Sequence, residues 1–155
     1  MNPVTLAAYL HEHIPISRGM AVSVLRASAA EVALEAPLGP NINVHGTMFG
    51  GSVSTLGLLA AWSVLHLRLE AEGIANRLVI HKTDVEYLLP VTGTAQALSS
   101  LDATDWDSFR HMLERRSKAR LTVVAEIICD GLVVARLTGE FVAIAERQNE
   151  DKSRQ

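Results

Sequence analysis

Residues 50–70 read GGSVSTLGLLAAWSVLHLRLE, and this run decides the fold because it predicts one long helix that is apolar almost all the way round. From Gly51 to Leu67 it contains no Asp, Glu, Lys or Arg. A membrane-spanning helix needs about 20 predominantly apolar residues, whereas this stretch is shorter and includes four hydroxyl side chains and His66. We therefore expect a helix buried inside a soluble, cytoplasmic protein that has no membrane partner.

Apolar and polar residues alternate on both sides of this helix, which is typical of strands with one buried face. The predicted strands are 20–26, 31–36, 78–89, 94–101, 119–129 and 132–143, with a turn at Asp130-Gly131 and a bulge at Gly139. Shorter amphipathic helices are predicted over 5–13 and 106–116. An antiparallel sheet curled around the apolar helix accommodates this order, so we expect an α+β fold. Since one sheet cannot enclose a helix completely, we also expect at least a dimer.

The amino-acid composition and net charge of the chain argue against some classes of function and favour a single soluble domain. The chain has 155 residues, 48% apolar and 20% charged, which is typical of one soluble globular domain. We predict a single domain over residues 1–145 and a disordered, charged tail over 146–155. A net charge of −3 gives no indication of nucleic acid as a partner. The single cysteine, Cys129, excludes a thiolate metal cluster, and His11 and His13 point to different sides of a helix, so we expect neither a metal nor a cofactor.

The loop and helix start over residues 40–55, PNINVHGTMFGGSVST, are the most informative part of the chain for function. Gly50 and Gly51 open the apolar helix, where the first backbone N–H groups have no partner within the helix and lie at its positive end. Because glycine lets a ligand approach the backbone closely, these N–H groups could bind an anion or a carbonyl oxygen that becomes anionic. The alternative is a tight junction between loop and helix in which Ser52 caps the helix.

The pattern N-x-x-G-T-x-x-G-G, formed by Asn43, Gly46, Thr47, Gly50 and Gly51, resembles the loop-and-helix motif of hotdog-fold acyl-thioesterases. Further segments resemble the YiiD C-terminal-type thioesterases and extend the resemblance from about residue 10 to residue 144. They are LHEHIPISRGM, LEAPLGPNINVHGTMFGGS, LAAW and VEYLLPVTG. Several separated motifs in the same order make this resemblance far more specific than the glycine pair alone.

The resemblance implies a β-sheet wrapped around a central helix, a dimer that joins two such sheets, and an acyl-thioester site between the subunits. It also implies that the N–H groups of Gly50 and Gly51 face the thioester carbonyl and that Asn43 positions the thioester or the attacking water. Thr47 and Ser52 would then support the loop.

The other predicted substrate-binding residues lie on either side of the glycines or on a strand. Phe49 and Thr55 flank the glycine pair, and Thr83 belongs to the predicted strand over 78–89.

The sequence departs from the better-characterised hotdog thioesterases at two positions. They have H-G-G where this chain has Phe49-Gly50-Gly51. They also have an Asp or Glu seven residues after the second glycine, where this chain has Leu58. The carboxylate that would activate water is therefore missing from its usual place, and the catalytic base is unassigned.

Two residues are substitute candidates for the base. His45 lies in the same loop, where an imidazole could accept a proton from water, although it could equally bind loop backbone. Asp84 lies on the strand over 78–89 and could reach the site across a dimer interface, although with Lys82 it could equally form a solvated strand face. Period two places His81 and Thr83 on the face opposite Asp84, and this pair could act at the site instead.

These observations predict a hydrolase that acts on thioesters of coenzyme A or of an acyl carrier protein and works as a homodimer that could pair into a tetramer. The missing helix acid leaves open a non-catalytic protein that binds acyl thioesters. A hotdog dehydratase is a third alternative, and it would need a histidine and an acid placed together at the site.

Overall fold

The computed structural model describes residues 1–147, and residues 148–155 of the predicted tail lie outside the described part of the chain. A short 3-10 helix, Gly39–Asn41, precedes the central helix. The remaining elements are α1 (Pro3–His13), α2 (Ile16–Gly19), β1 (Ser23–Ala27), β2 (Glu31–Ala36), α3 (Gly50–Ala71), β3 (Asn76–Tyr87), β4 (Ala95–Ser100), α4 (Ala103–Arg116), β5 (Lys118–Cys129) and β6 (Leu132–Ala145).

The six strands form one antiparallel sheet in the order β1-β2-β4-β5-β6-β3. The strands β2, β4, β5 and β6 all contact α3, so the sheet curves around the helix. This arrangement confirms the expected α+β architecture. It leaves β1 and β3 as the two edges of the sheet, and β3 is the longer of the two.

The central helix α3 is enclosed because most of its side chains are apolar. Eleven of its residues are buried, among them Leu56, Ala60 and Val64. Gly57 allows the helix backbone to approach the sheet, since a Cβ there would lie 3.1 Å from Ile127. By length and composition alone α3 could cross a membrane, yet the larger part of its most apolar stretch is buried by the rest of the chain.

The hairpin of β5 and β6 shows how local sequence sets strand pairing. Asp130 and Gly131 have φ angles of 51° and 76°, which fits the two-residue turn predicted there.

The bulge predicted at Gly139 is wrong, because the pairing of β6 runs continuously through that residue and the irregularities lie elsewhere. Gly139 instead makes room for an aromatic ring, since a Cβ there would lie 2.7 Å from the side chain of Phe141.

Candidate active site

The helix α3 begins with Gly50 and Gly51, whose N–H groups have no acceptor among the described residues. Phe49 is the N-cap residue and provides no side-chain cap. The N–H groups of Ser52 and Val53 donate to the Phe49 carbonyl at 2.9 and 3.1 Å. Within residues 1–147, the N–H groups of Gly50 and Gly51 donate to no protein acceptor. The alternative in which Ser52 caps the helix is therefore wrong, because Ser52 lies inside the first turn.

Asn43 braces the loop that leads into this helix. Its Oδ1 accepts from the N–H groups of His45 and Thr47 at 2.8 and 3.2 Å. Its Nδ2 donates to the Thr47 hydroxyl at 2.9 Å and to the Met48 carbonyl at 3.5 Å. Gly46 completes the turn with a φ of 75°, which favours glycine. Both ends of its amide are engaged inside the loop, so Asn43 shapes the loop in this conformation, and its predicted role in positioning the thioester or the attacking water stays a prediction.

Tyr87, at the end of β3, contacts the helix start and was not among the predicted site residues. Its hydroxyl donates to the Gly50 carbonyl at 2.9 Å. Its ring lies 3.5 Å from the position that a Gly50 Cβ would occupy. The alternation in β3 places Thr83 on the same face of the strand, so that face is turned toward α3. This alternation, and the place of Tyr87 in the segment VEYLLPVTG that resembles the thioesterase family, were signals in the sequence that could have identified it.

The Phe49 ring lies over Gly51. A Cβ at Gly51 would be 2.4 Å from Cε1 of Phe49, closer than any real contact allows. Phe49 as a whole residue is 59% exposed. This placement of the ring therefore requires a glycine at position 51.

A cavity of about 360 Å³ lies beside this helix start, and we call it the Gly51 cavity. It brings together four of the predicted site residues, Phe49, Gly51, Ser52 and Thr55. Its volume falls in the range of ligand pockets. A second cavity of about 330 Å³ includes Thr47 and Tyr87 on the other side of the helix start.

If the candidate site were chosen by cavity volume alone, a different cavity would be selected. The largest cavity, about 800 Å³, is a groove between α4 and the start of β5 that includes Phe109 and Lys118. None of the predicted site residues lines it. We assign the candidate site to the Gly51 cavity because unpaired N–H groups at the positive end of a helix have a defined chemistry, namely binding of developing negative charge.

The two candidate bases, His45 and Asp84, lie in different parts of the structure, one in the loop before α3 and one on β3. The His45 ring is exposed at the tip of the loop and forms no hydrogen bond with any described residue. Asp84 lies on the face of β3 opposite Tyr87, where it borders a polar cavity with Lys82 and Glu86. Since Tyr87 faces α3, Asp84 points away from the helix start of its own chain. Its predicted reach to the site across a dimer interface stays a prediction.

The helix itself supplies no carboxylate near the site. Leu58 is half-buried and packs against the core, and the first acid along α3 is Glu70.

In the described part of the chain, no group of three or more His, Cys, Asp or Glu side chains is arranged to hold a metal ion. The expectation that the protein needs neither metal nor cofactor stays a prediction.

Similar structures share this fold across nearly the whole chain. A protein of unknown function from Chlorobaculum tepidum TLS is 27% identical, with a TM-score of 0.87 over 94% of this chain and 98% of that one. A "putative thioesterase" from Shewanella oneidensis is 30% identical, with a TM-score of 0.82 over 92% of this chain and 96% of that one. These likenesses confirm the hotdog fold.

A protein from Pseudomonas aeruginosa described as a "probable thioesterase" is 22% identical, with a TM-score of 0.80 over 93% of this chain and 97% of that one, and shows the fold alone. The family described as "Putative thioesterase (yiiD_Cterm)" matches residues 4–145, which confirms the resemblance seen in the separated motifs. The chain belongs to this YiiD C-terminal-type thioesterase family.

Proposed function

We propose that the protein hydrolyses acyl thioesters of coenzyme A or of an acyl carrier protein at the start of α3. The observation that supports this most directly is the pair of N–H groups on Gly50 and Gly51, which donate to no acceptor in residues 1–147, together with the ligand-sized cavity that Gly51 lines. When water attacks the thioester carbonyl, its oxygen becomes an oxyanion that these N–H groups can bind. Loss of one such donor typically lowers the rate about 10²–10³-fold.

The reaction needs a proton acceptor as well as an oxyanion site. Water adds to the carbonyl carbon, the C–S bond breaks, and the proton lost by the water ends on the leaving thiolate. His45 is the base that we propose, because its ring is exposed in the loop beside the helix start and imidazole exchanges protons near neutral pH. We leave Asp84 out because it lies on the outer face of the sheet.

The site is proposed to be completed by a second copy of the chain. The edge strand β3 is twelve residues long and exposes Val79, Ile80 and Tyr87, and the unpaired N–H and C=O groups along a long strand edge are a template for pairing with another chain. Pairing of β3 with the same strand of a partner would bring the partner beside Tyr87 and the cavity that Tyr87 shares with Thr47 at the start of α3. Homodimers, which could pair further into tetramers, are therefore the expected assembly.

A thiol-release screen over acyl-CoAs of graded chain length, repeated with acyl carrier proteins, tests the activity. The key variant is Gly51→Val, whose side chain would displace the Phe49 ring and cover the N–H group. The matched control is Gly39→Val, since a Cβ at Gly39 meets nothing within 4 Å. We expect Gly51→Val to lose at least about 100-fold in kcat/KM and the control to match the wild type. A folded Gly51→Val variant with wild-type turnover would refute the site.

A second candidate function is non-catalytic binding of acyl thioesters. It is favoured by one observation, the apolar Leu58 at the position of the usual helix acid. Calorimetric titration with a non-hydrolysable thioether analogue of acyl-CoA, run beside the hydrolysis screen, separates the two. Tight binding without thiol release at every chain length would select the binding protein.

A further inference from the structure

A groove of about 800 Å³ lies between α4 and the first residues of β5, and we call it the α4–β5 groove. One wall is formed by five consecutive residues of β5, 118–122. Because successive side chains of a strand point to opposite faces, a groove bordered by five in a row runs along the edge of the strand and not over one face. The other wall is one face of α4, with lining residues spaced three or four apart, namely Asp105, Phe109, Met112 and Arg116.

The edge of β5 inside this groove has no strand beside it in residues 1–147. The strand β4 pairs with β5 only from Ala125 onward, and the chain then leaves the sheet to form α4. Just before Ala125, the Ser99 hydroxyl donates to the Val124 carbonyl at 2.8 Å, so that carbonyl points to the side of β4. Since backbone groups alternate in direction along a strand, the N–H and C=O groups of the even-numbered residues in 118–122 point to the same side and face the groove. Unpaired backbone groups of this kind are a template for a further strand.

The charged side chains of the groove are mostly cationic. Arg116, Lys118 and Arg120 line it, and Asp105 is the one acid among the lining residues that the structure describes. Arg120 is partly neutralised by Glu140 at 3.1 Å, whereas Arg116 and Lys118 form no ion pair within residues 1–147. This local positive charge contrasts with the net charge of −3 of the whole chain, so the groove favours a partner that carries negative charge.

The groove presents two different surfaces to an added strand. Toward α4 it is apolar, because Met112 is 40% exposed there and the inward-facing residues of the strand are Ala119 and Leu121. On the outer face of the sheet it is cationic, because the alternate residues Lys118 and Arg120 are exposed. A strand that fits both surfaces alternates acidic and apolar side chains.

We propose that the α4–β5 groove binds an extended acidic peptide segment of a partner protein, which adds to the open edge of β5 as a strand. The segment continues the path that β4 leaves after Ser99, so it runs antiparallel to β5, as β4 does. It is about five residues long, which is the length of the open edge. Its acidic residues lie opposite Lys118 and Arg120, and its apolar residues cover Met112. None of the residues that line this groove lines the Gly51 cavity, so the inference does not depend on the thioesterase function.

A second copy of the chain fits this edge less well than an acidic peptide does. If two copies paired through the open edges of β5, Lys118 and Arg120 of one copy would face the same two cations of the other. Like charges directly opposite each other in a sheet are destabilising. The charge of the groove therefore selects against self-pairing and in favour of a partner of opposite charge.

Peptide binding to the wild-type protein provides the first test. The probe is a fluorescein-labelled peptide in which three glutamates alternate with two leucines, and fluorescence anisotropy measures its Kd for the full chain. We expect a Kd below about 100 μM at low salt and at least threefold weaker binding in about 0.5 M NaCl, since salt screens exposed charges. The matched control has lysines in place of the glutamates and should bind at least about tenfold more weakly.

Two further peptides test whether the segment binds as a strand. In an antiparallel pair, residues that exchange hydrogen bonds also have their side chains on the same face, so the N–H groups of the glutamates face β5. A single N-methyl group on the central glutamate should therefore weaken binding at least about fivefold. The same group on a neighbouring leucine, whose N–H group faces α4, should change the Kd less than about twofold.

Two variants assign the binding to this groove. Lys118→Glu reverses a charge on its rim, and we expect it to weaken binding of the acidic peptide about three- to tenfold. Arg115→Glu is the matched control, because it makes the same change of net charge at an exposed residue of α4 that does not line the groove. Thermal unfolding of each variant shows whether it is folded. If Lys118→Glu does not fold, the comparison of peptides on the wild type still decides the inference.

Each contrary result overturns the inference in a different way. No binding of the acidic peptide, or equal binding of the acidic and basic peptides, would overturn the choice of partner. Equal effects of the two N-methyl groups would overturn strand addition. Peptide binding that is weakened equally by Lys118→Glu and Arg115→Glu would place the peptide outside the groove. Self-association that Lys118→Glu alone abolishes, measured by analytical ultracentrifugation, would assign the groove to a second copy of the chain.

Discussion

The hydroxyl of Tyr87 donates a hydrogen bond to the carbonyl oxygen of Gly50 over 2.9 Å. That carbonyl and the N–H group of Gly51 belong to the same peptide unit. A donor on the oxygen polarises the unit and strengthens the N–H group as a donor, by about 10–30% in condensed-phase estimates. The edge strand β3 thereby orients and strengthens one of the two groups proposed to bind the oxyanion.

Tyr87→Phe is expected to lower kcat about three- to tenfold and to change KM little, because the lost bond acts on a group that binds most strongly in the transition state. Steady-state thiol release measures both constants. Tyr9→Phe is the matched control, since Tyr9 is the other tyrosine of the chain and packs with Trp62 and His66. An unchanged kcat in Tyr87→Phe would show that the bond has no role in turnover.

Local sequence was sufficient to predict the main elements of the fold. All six strands and the helices α1, α3 and α4 were predicted, with ends within about three residues, because alternation and helical spacing are local signals. The helix α2 was missed because its four residues, Ile16–Gly19, are too few to show a period. The prediction of a bulge at Gly139 was wrong because this glycine instead leaves room for the side chain of Phe141.

The site was predicted only in part, because some of its contacts join residues that are far apart in the chain. Gly50 and Gly51 could be identified because a helix N-terminus is set by neighbouring residues. The contact of Tyr87 with Gly50 could not, since it joins residues 37 positions apart in the chain. The face of β3 on which Asp84 lies could be predicted, but which face turns toward α3 depends on how the sheet curves.

Gly51 and Phe49 are expected to be coupled. Gly51→Ala places a methyl group where the Phe49 ring lies, so we expect kcat/KM to fall about tenfold as the ring is forced aside. Phe49→Ala removes the clash, and the double variant should therefore be no worse than Phe49→Ala alone. A double-mutant cycle of kcat/KM measures the coupling. Simple additivity of the two effects, within about 0.5 kcal/mol, would show that the ring and the glycine act independently.

The edge strand β3 is expected to form the dimer interface. Ile80→Glu places a charge on this edge, where pairing would bury it, so we expect dimers to dissociate and thiol release to fall at least about tenfold. Val124→Glu is the control, because Val124 has a similar exposure, 42% against 39%, but lies on the central strand β5. Analytical ultracentrifugation gives the assembly. A dimer that persists in folded Ile80→Glu would place the interface elsewhere.

His66, on α3, is expected to make stability depend on pH. Its ring stacks on Trp62 at 4.6 Å and on Tyr9 at 5.1 Å, and its enclosed Nε2 has no hydrogen-bond partner in the part of the chain described. Burial lowers the pKa of His66 below its ordinary value of 6.5, the carboxylate of Glu70 partly offsets this, and the amino terminus lowers it further. The folded protein therefore resists protonation of this ring more than the unfolded chain does.

Because the folded-state pKa is depressed, the stability that the neutral His66 ring contributes is complete above about pH 6.5 and is lost as the pH falls through the folded-state value. We expect the unfolding midpoint of the wild type to fall more steeply between pH 7.5 and pH 5 than that of His66→Phe, whose ring preserves the stack on Trp62. Thermal unfolding of both proteins across this range measures the difference. Parallel pH profiles would mean that His66 titrates equally in the folded and unfolded states.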